Sequence, residues 1–280
     1  MSVLSGLGNL GLGNLEGADV FGAEKKEEEQ KKQAAAQSKA PTIEDFVFDK
    51  KYSCPVCYQE FVNPTMKANK VKMTGQDSDL RPKYEPIDPI KYDIIACPRC
   101  GYAALTRYFD KITPPQAKLI KSEISASFHG LKHLLDYSYD DAIERYQLAL
   151  ANAIVKRAKA SEKAYLCLKL AWVLRAKMEA LDIDLPDYDD QMAELKKDEM
   201  ELLQNALDGF INARQTEDFP MCGMDESTVD YIISVTATKF EKYDIASKLI
   251  AGILTDAKAN PRIKDKARDL KDDILQQKNR

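Results

Sequence analysis

Two matched cysteine clips constrain this chain more than any other feature: Cys54-Pro55-Val56-Cys57 and Cys97-Pro98-Arg99-Cys100-Gly101. Two thiolates three positions apart on a tight turn grip one side of a tetrahedral ion, and a second clip closes the other side. Proline after the first cysteine stiffens each turn, and Gly101 provides a left-handed residue just past the last ligand. The expected site is one structural zinc held by Cys54, Cys57, Cys97 and Cys100, with no coordination position left open for catalysis. Thirty-nine residues separate Cys57 from Cys97. Doubling a loop costs only about 0.6 kcal/mol. Structural zinc supplies on the order of 10–16 kcal/mol of apparent binding free energy, so the long insert is tolerated. A redox dithiol is the competing reading of a single clip, but such pairs sit at a helix N-terminus within a βαβ setting. Here a strand precedes the second clip, a turn follows it, and there are two clips.

The remaining two cysteines, Cys167 and Cys222, look unrelated to the clips, and Cys167 lies in an apolar helical run as an inert buried thiol. Four of six cysteines in metal-type clips suit a reducing compartment better than a disulfide framework. The first twenty residues lack a basic n-region followed by an apolar run, and no stretch approaches a membrane span. The expected location is the cytoplasm. A formal net charge of −4 over 280 residues argues against a general binder of polyanions.

Three segments differ in composition. Residues 1–40 carry a doubled unit, Gly6-Leu7-Gly8-Asn9-Leu10 and Gly11-Leu12-Gly13-Asn14-Leu15, then a charged, alanine-rich tract. Such a segment reads as a disordered leader, although its leucine spacing also suits a short docking motif. Residues 41–112 read as short strands and turns, with Lys91–Ala96 leading as a strand into the second clip. The stretch holding Pro82, Pro86 and Pro89 reads as an extended loop. Residues 113–280 read as helical, over roughly 114–136, 140–158, 161–179, 189–215, 226–241, 243–257 and 262–277.

Those helices repeat a small–large–small pattern at Ala142, Tyr146 and Ala149, again at Ala206, Phe210 and Ala213, and again at Ala246, Ile250 and Ile253. Gly130, twelve positions before Ala142, takes the place of the small residue in a first helix. The pattern is similar to that of tetratricopeptide repeats. The expected fold is therefore mainly α, a repeat-like solenoid of about seven helices joined to a small β zinc-ribbon-like module. Stacked helix pairs form a groove, and the first helices of the pairs place Lys169, Arg175 and Lys239 in it as candidate binding residues.

Other clusters have plainer readings. His129 and His133 lie four apart on an expected helix face, a geometry that suits a metal, but no third ligand is fixed by spacing and packing is the favoured role. The aspartates from Asp182 to Asp190 lack the glycine and distal glutamate of a calcium loop, and read as a solvated linker. Asp77 to Pro82, with Lys67, Lys70, Lys72, Lys83 and Arg99 around the clips, reads as charge balancing a tetrathiolate centre. Without aromatic stacking residues it is a weak case for nucleic acid. No phosphate loop, nucleophile elbow or supported nucleophile is present in the sequence, so an enzyme is not expected.

Several segments taken together resemble the bacterial family called domain of unknown function 2225, over roughly residues 45–280. They are Cys54-Pro-Val-Cys57, Asp77 to Tyr84, Tyr92 to Ala104, Leu168-Lys-Leu-Ala-Trp172, Phe219-Pro-Met-Cys-Gly-Met-Asp-Glu226 and Asn260-Pro-Arg-Ile-Lys-Asp265. The resemblance implies a zinc-ribbon-like part joined to tetratricopeptide-like helices, with the four clip cysteines as ligands, and implies no activity. The leading functional expectation is an adaptor that binds a protein or peptide. A nucleic-acid-associated zinc-ribbon protein and a metal-dependent enzyme using His129 and His133 are the alternatives. Oligomeric state is left open by the sequence.

Overall fold

Each cysteine clip is the tip of a hairpin. The computed structural model describes residues 41–278, so the expectations for the leader lie outside the described residues. By contact the chain divides after Thr42, and the unit that begins at Ile43 carries every element below. Strands β1 (Val47–Ser53) and β2 (Glu60–Met66) pair antiparallel and close at Ser53 opposite Glu60. Strands β5 (Ile94–Ala96) and β6 (Ala103–Leu105) repeat the arrangement, closing at Ala96 opposite Ala103. Each pair thus leaves a six-residue tip, 54–59 and 97–102, with cysteines at its first and fourth positions. Between them lies a third hairpin, β3 (Lys72–Gln76) with β4 (Pro82–Glu85), whose register shifts between Met73 and Gly75.

That third hairpin corrects the expectation of an extended loop. Pro82 sits at the first position of an edge strand, where its missing N–H costs no ladder bond. Lys91 and Tyr92 belong to a 3-10 turn, Pro89–Tyr92, so the strand before the second clip is shorter than expected. The two cysteine hairpins are joined by the buried Asn63 side chain of β2. Its amide donates to the Ile94 carbonyl at 3.4 Å and accepts from the Ala96 N–H at 3.3 Å.

Seven α-helices follow in the described residues: α1 (Pro114–Ile120), α2 (Tyr139–Val155), α3 (Ala160–Ala180), α4 (Tyr188–Thr216), α5 (Glu226–Lys239), α6 (Tyr243–Thr255) and α7 (Pro261–Lys278). Local chemistry sets their starts. At α2, Ser138 Oγ accepts from the Asp141 N–H while the Asp141 carboxylate accepts from the Ser138 N–H, a reciprocal capping box. At α5, the Asp225 carboxylate accepts from the Thr228 N–H at 2.8 Å. Ion pairs and hydrogen bonds fix the order of packing. Lys177 near the end of α3 meets Asp140 at the start of α2, Ser161 at the start of α3 meets Glu217 after α4, and Arg214 near the end of α4 meets Asp230 of α5. Helices α2 to α5 therefore run antiparallel in succession. The repeated Ala142, Tyr146 and Ala149, and their counterparts in α4 and α6, are all buried.

The expected first helix does not run to residue 136. After Ile120 the chain makes one π-helical turn, Lys121–Ser125, and then leaves helical conformation until Tyr139. The cause lies across the fold. The Ser125 hydroxyl donates to the Cys100 carbonyl at 2.8 Å, and Ile124 and Phe128 close over Gly101. Gly130 is left-handed at φ 99 and belongs to no helix. Segment 126–138 therefore serves as a cover for the cysteine hairpins rather than as a repeat helix.

Strand β5 and strand β6 join the two halves, because both of their faces are buried. Ile94, Ala96, Ala103 and Leu105 pack with Tyr146, Ala149 and the helical core. Ile95 and Ala104, pointing the other way, pack with the cysteines, Tyr102 and Phe109. The change from strand to helix near residue 113 is thus not a break in packing. The buried Asn152 of α2 reinforces it by donating to the Gly101 carbonyl at 2.8 Å.

Candidate metal centre

The hairpin tips hold their cysteines by backbone bonds. In the first, the Tyr58 N–H donates to the Cys54 carbonyl at 2.8 Å, and in the second the Gly101 N–H donates to the Cys97 carbonyl at 3.1 Å. The residue after each clip is left-handed, Tyr58 at φ 60 and Gly101 at φ 72. The absent glycine of the first clip is replaced by a strained tyrosine, 73% exposed, with the Lys121 ammonium 5.2 Å above its ring. At the second clip a Cβ would stand 2.7 Å from Phe128 Cγ. Gly101→Ala is therefore expected to lower stability by about 2–3 kcal/mol, combining left-handed strain with overpacking. Tyr58→Gly is expected to be neutral or slightly stabilising. Thermal midpoints of the two variants check this, and equal losses at both positions would contradict it.

The four sulfur atoms form one cluster. All lie within 4.8 Å of one another, with Cys54 Sγ 3.6 Å from Cys100 Sγ and Cys57 Sγ 3.7 Å from Cys97 Sγ. A disulfide needs about 2.05 Å, so these are free thiols arranged around a point. Cys54, Cys97 and Cys100 are buried and Cys57 is half-buried. Four such thiols cannot all ionise without a cation among them. Hydrogen bonds from Cys100 and then Cys54 draw the Cys97 thiol well below its ordinary range. At Cys54 the bond from Cys100 pulls down, but the bond to Cys97 and burial outweigh it and push the thiol up. Cys100 is pushed up by its bonds to Cys54 and Cys97 and by burial. A divalent ion at the centre would remove that competition, because all four groups would then bind as thiolates.

The other expected site residues lie apart from the cluster. His129 and His133 are exposed and on no helix, which corrects the expectation of a shared helix face. His133 Nε2 sits 3.0 Å from the Asp49 carboxylate. Among the described residues, the four cysteines are the only group of three or more histidine, cysteine or acidic side chains placed to hold a metal.

Lys169, Arg175 and Lys239 face carboxylates of the same chain. Lys169 pairs with Asp93, above the rings of Tyr165 and Trp172. Arg175 bonds Asp77 at 3.1 Å, Asp79 at 2.8 Å and Glu199 at 2.6 Å, and Lys239 reaches Glu199 at 3.4 Å. Trp172 Nε1 donates to Asp79 at 3.0 Å, and Arg81, only 2% exposed, bridges Asp77 and Glu179. Burial would raise the Asp77 carboxyl, but bonds from Arg81 and Arg175 prevail and hold it below its usual range. The Asp77–Arg81 segment thus lies on the α3 face, where a partner was expected. Its alternation of acid and base between the clips was a clue to an internal ion-pair anchor, and composition gave no way to find the matching helix.

Comparison with known proteins gives one family. Residues 47–274 match the family model DUF2225, described as "Uncharacterized protein conserved in bacteria". The chain belongs to this family. No curated protein and no solved structure matches it.

Proposed function

We propose that this family member is a zinc-stabilised interaction protein of the cytoplasm, in which a tetratricopeptide-like stack docks a protein or peptide. Zinc as the ion is supported by the donor set and its spacing. Zinc–sulfur bonds of about 2.3 Å place the sulfurs of a tetrahedral site about 3.8 Å apart, close to the 3.6 and 3.7 Å across the clips. A closed tetrathiolate zinc supplies folding free energy rather than an open position for chemistry. The reading is non-catalytic, in keeping with two exposed histidines that share no ligand cluster.

The observation that carries the docking role is a mainly apolar groove of about 240 Å³ between α6 and α7, lined by Ile250, Ala251, Leu254, Ile274 and Leu275 together with Ser247 and Lys271. Leu275 is 51% exposed although it adjoins the core residues Ile250 and Ile274. The repeat-like reading of the stack rests on the two buried small–large–small triplets of α2 and α4 and on a third buried set at the same spacing in α6, which ends on the larger Ile253. Affinity capture tests the role with the full chain, a chain without residues 1–40, and the variants Leu254→Glu and Leu275→Glu. A bound protein retained by the first two and weakened roughly tenfold or more by either variant is expected. Capture that survives both variants, or that vanishes with residues 1–40 alone, would overturn the groove as the docking surface.

A further inference from the structure

Three loops on the side of the stack where α3 begins enclose a cleft of about 600 Å³, inside the range of small-molecule sites. They are the turn after β6, the connection from α2 to α3, and the connection from α4 to α5. Its charges do not cancel. Lys156 is buried and paired with Glu162 at 2.7 Å. Glu217 is engaged too, its carboxylate accepting from the Ser161 N–H and hydroxyl at the start of α3. With the Lys156–Glu162 ion pair set aside, Arg107, Lys111, Arg157 and Lys159 line the cleft against two carboxylates, Glu217 and Asp218, so an excess of two positive charges remains. None of the four cations forms an ion pair among the described residues.

The backbone around the cleft is held in costly conformations. Arg157 and Cys222 are left-handed at φ 52 and φ 50, each a strain that the surrounding structure must offset. Gly223, at φ 78, passes so close to Arg107 that a Cβ there would lie 2.6 Å from the guanidinium. The loop thus lies flush against Arg107 and leaves its guanidinium at the cleft. The Cys222 thiol is occupied, donating to the Ser161 carbonyl at 3.2 Å.

We propose that this cleft binds a small molecule bearing phosphate groups, with Arg107 and Arg157 as the main contacts and Lys111 and Lys159 in support. Planar guanidinium groups match the paired oxygens of a phosphate, and ammonium groups add charge without geometry. A small ligand is favoured over a polymer because the cleft is bounded and the chain carries net negative charge. The site shares no lining residue with the cysteine cluster or the α6–α7 groove, but its Arg107 turn follows directly from β6 of the second cysteine hairpin, so the metal-loaded chain is the one to titrate.

Calorimetric titration of the full chain with inorganic pyrophosphate tests it, at low and moderate salt. Binding to the wild type is expected, with affinity reduced roughly tenfold or more in Arg107→Gln/Arg157→Gln and in Lys111→Gln/Lys159→Gln. Arg262→Gln, on an exposed turn of α7, should leave it unchanged. Unaltered thermal midpoints will show that the variants remain folded; should one pair unfold, the other and the wild type still decide. No binding by the wild type up to about 10 mM, or equal loss in Arg262→Gln, would overturn the proposal. So would single-stranded RNA that displaces pyrophosphate and depends on the same arginines, because the cleft would then serve a polymer.

Discussion

Cys97→Ser is expected to unfold the strand-rich part of the unit, as is chelation of the metal from the wild type. Cys97 is fully buried at the tip of the hairpin, and a serine hydroxyl there is a poor ligand for a soft site. The apparent free energy of a structural zinc, on the order of 10–16 kcal/mol, matches or exceeds the whole stability of a typical domain. The loss cannot stay local, because Ile95 and Ala104 rest on the cysteines while Ile94 and Leu105 rest on the helices. The expected results are a fall in the thermal midpoint, loss of bound metal, and new tryptic cuts at Lys50, Lys51 and Lys67. Cys167→Ala, in the helical core, should keep the metal and cost only about 1 kcal/mol. A Cys97→Ser protein with the wild-type midpoint and cleavage pattern would contradict this.

The second large effect is expected at Arg175. Its guanidinium is the shared partner of Asp79 and Glu199, both nearly buried, and of Asp77. Asp77 keeps Arg81 and Lys83, but Asp79 would keep only the Trp172 N–H, and Glu199 only the more distant Lys239. Arg175→Met therefore leaves buried carboxylates without compensation and should cost about 3–5 kcal/mol. For a unit of this size that is a fall of roughly 6–20 °C in thermal midpoint. Asp79→Asn retains an acceptor for Trp172 and should cost about 1–2 kcal/mol. Adding Glu199→Met to Arg175→Met removes one orphaned charge, so the double variant should lose less than the sum of the two single losses. Strict additivity would mean that the network carries no coupling.

What the sequence disclosed depended on range. The clips were legible because each is complete within four residues, and their joint use needed only two copies. Six of the helices followed from 3.6-residue periodicity. The first helix misled because its apolar spacing through Phe128 and Leu135 was real, yet those residues answer to partners far away. Phe128 lies over Gly101, and Leu135 packs with Phe46 and Tyr92. The histidine pair fell with that helix. Asp77, Asp79 and Arg81 were visible as a charged cluster, but their partners Arg175 and Glu179 stand some ninety-eight positions away in the chain. The cationic cleft was the least legible, since it gathers three loops that share no motif.

Metal analysis with X-ray absorption on the purified chain, kept in reducing buffer, bears most directly on the tetrathiolate centre. One zinc per chain with four sulfur neighbours at about 2.3 Å is expected. A chain that folds without stoichiometric zinc, or zinc bound through nitrogen or oxygen, would contradict it.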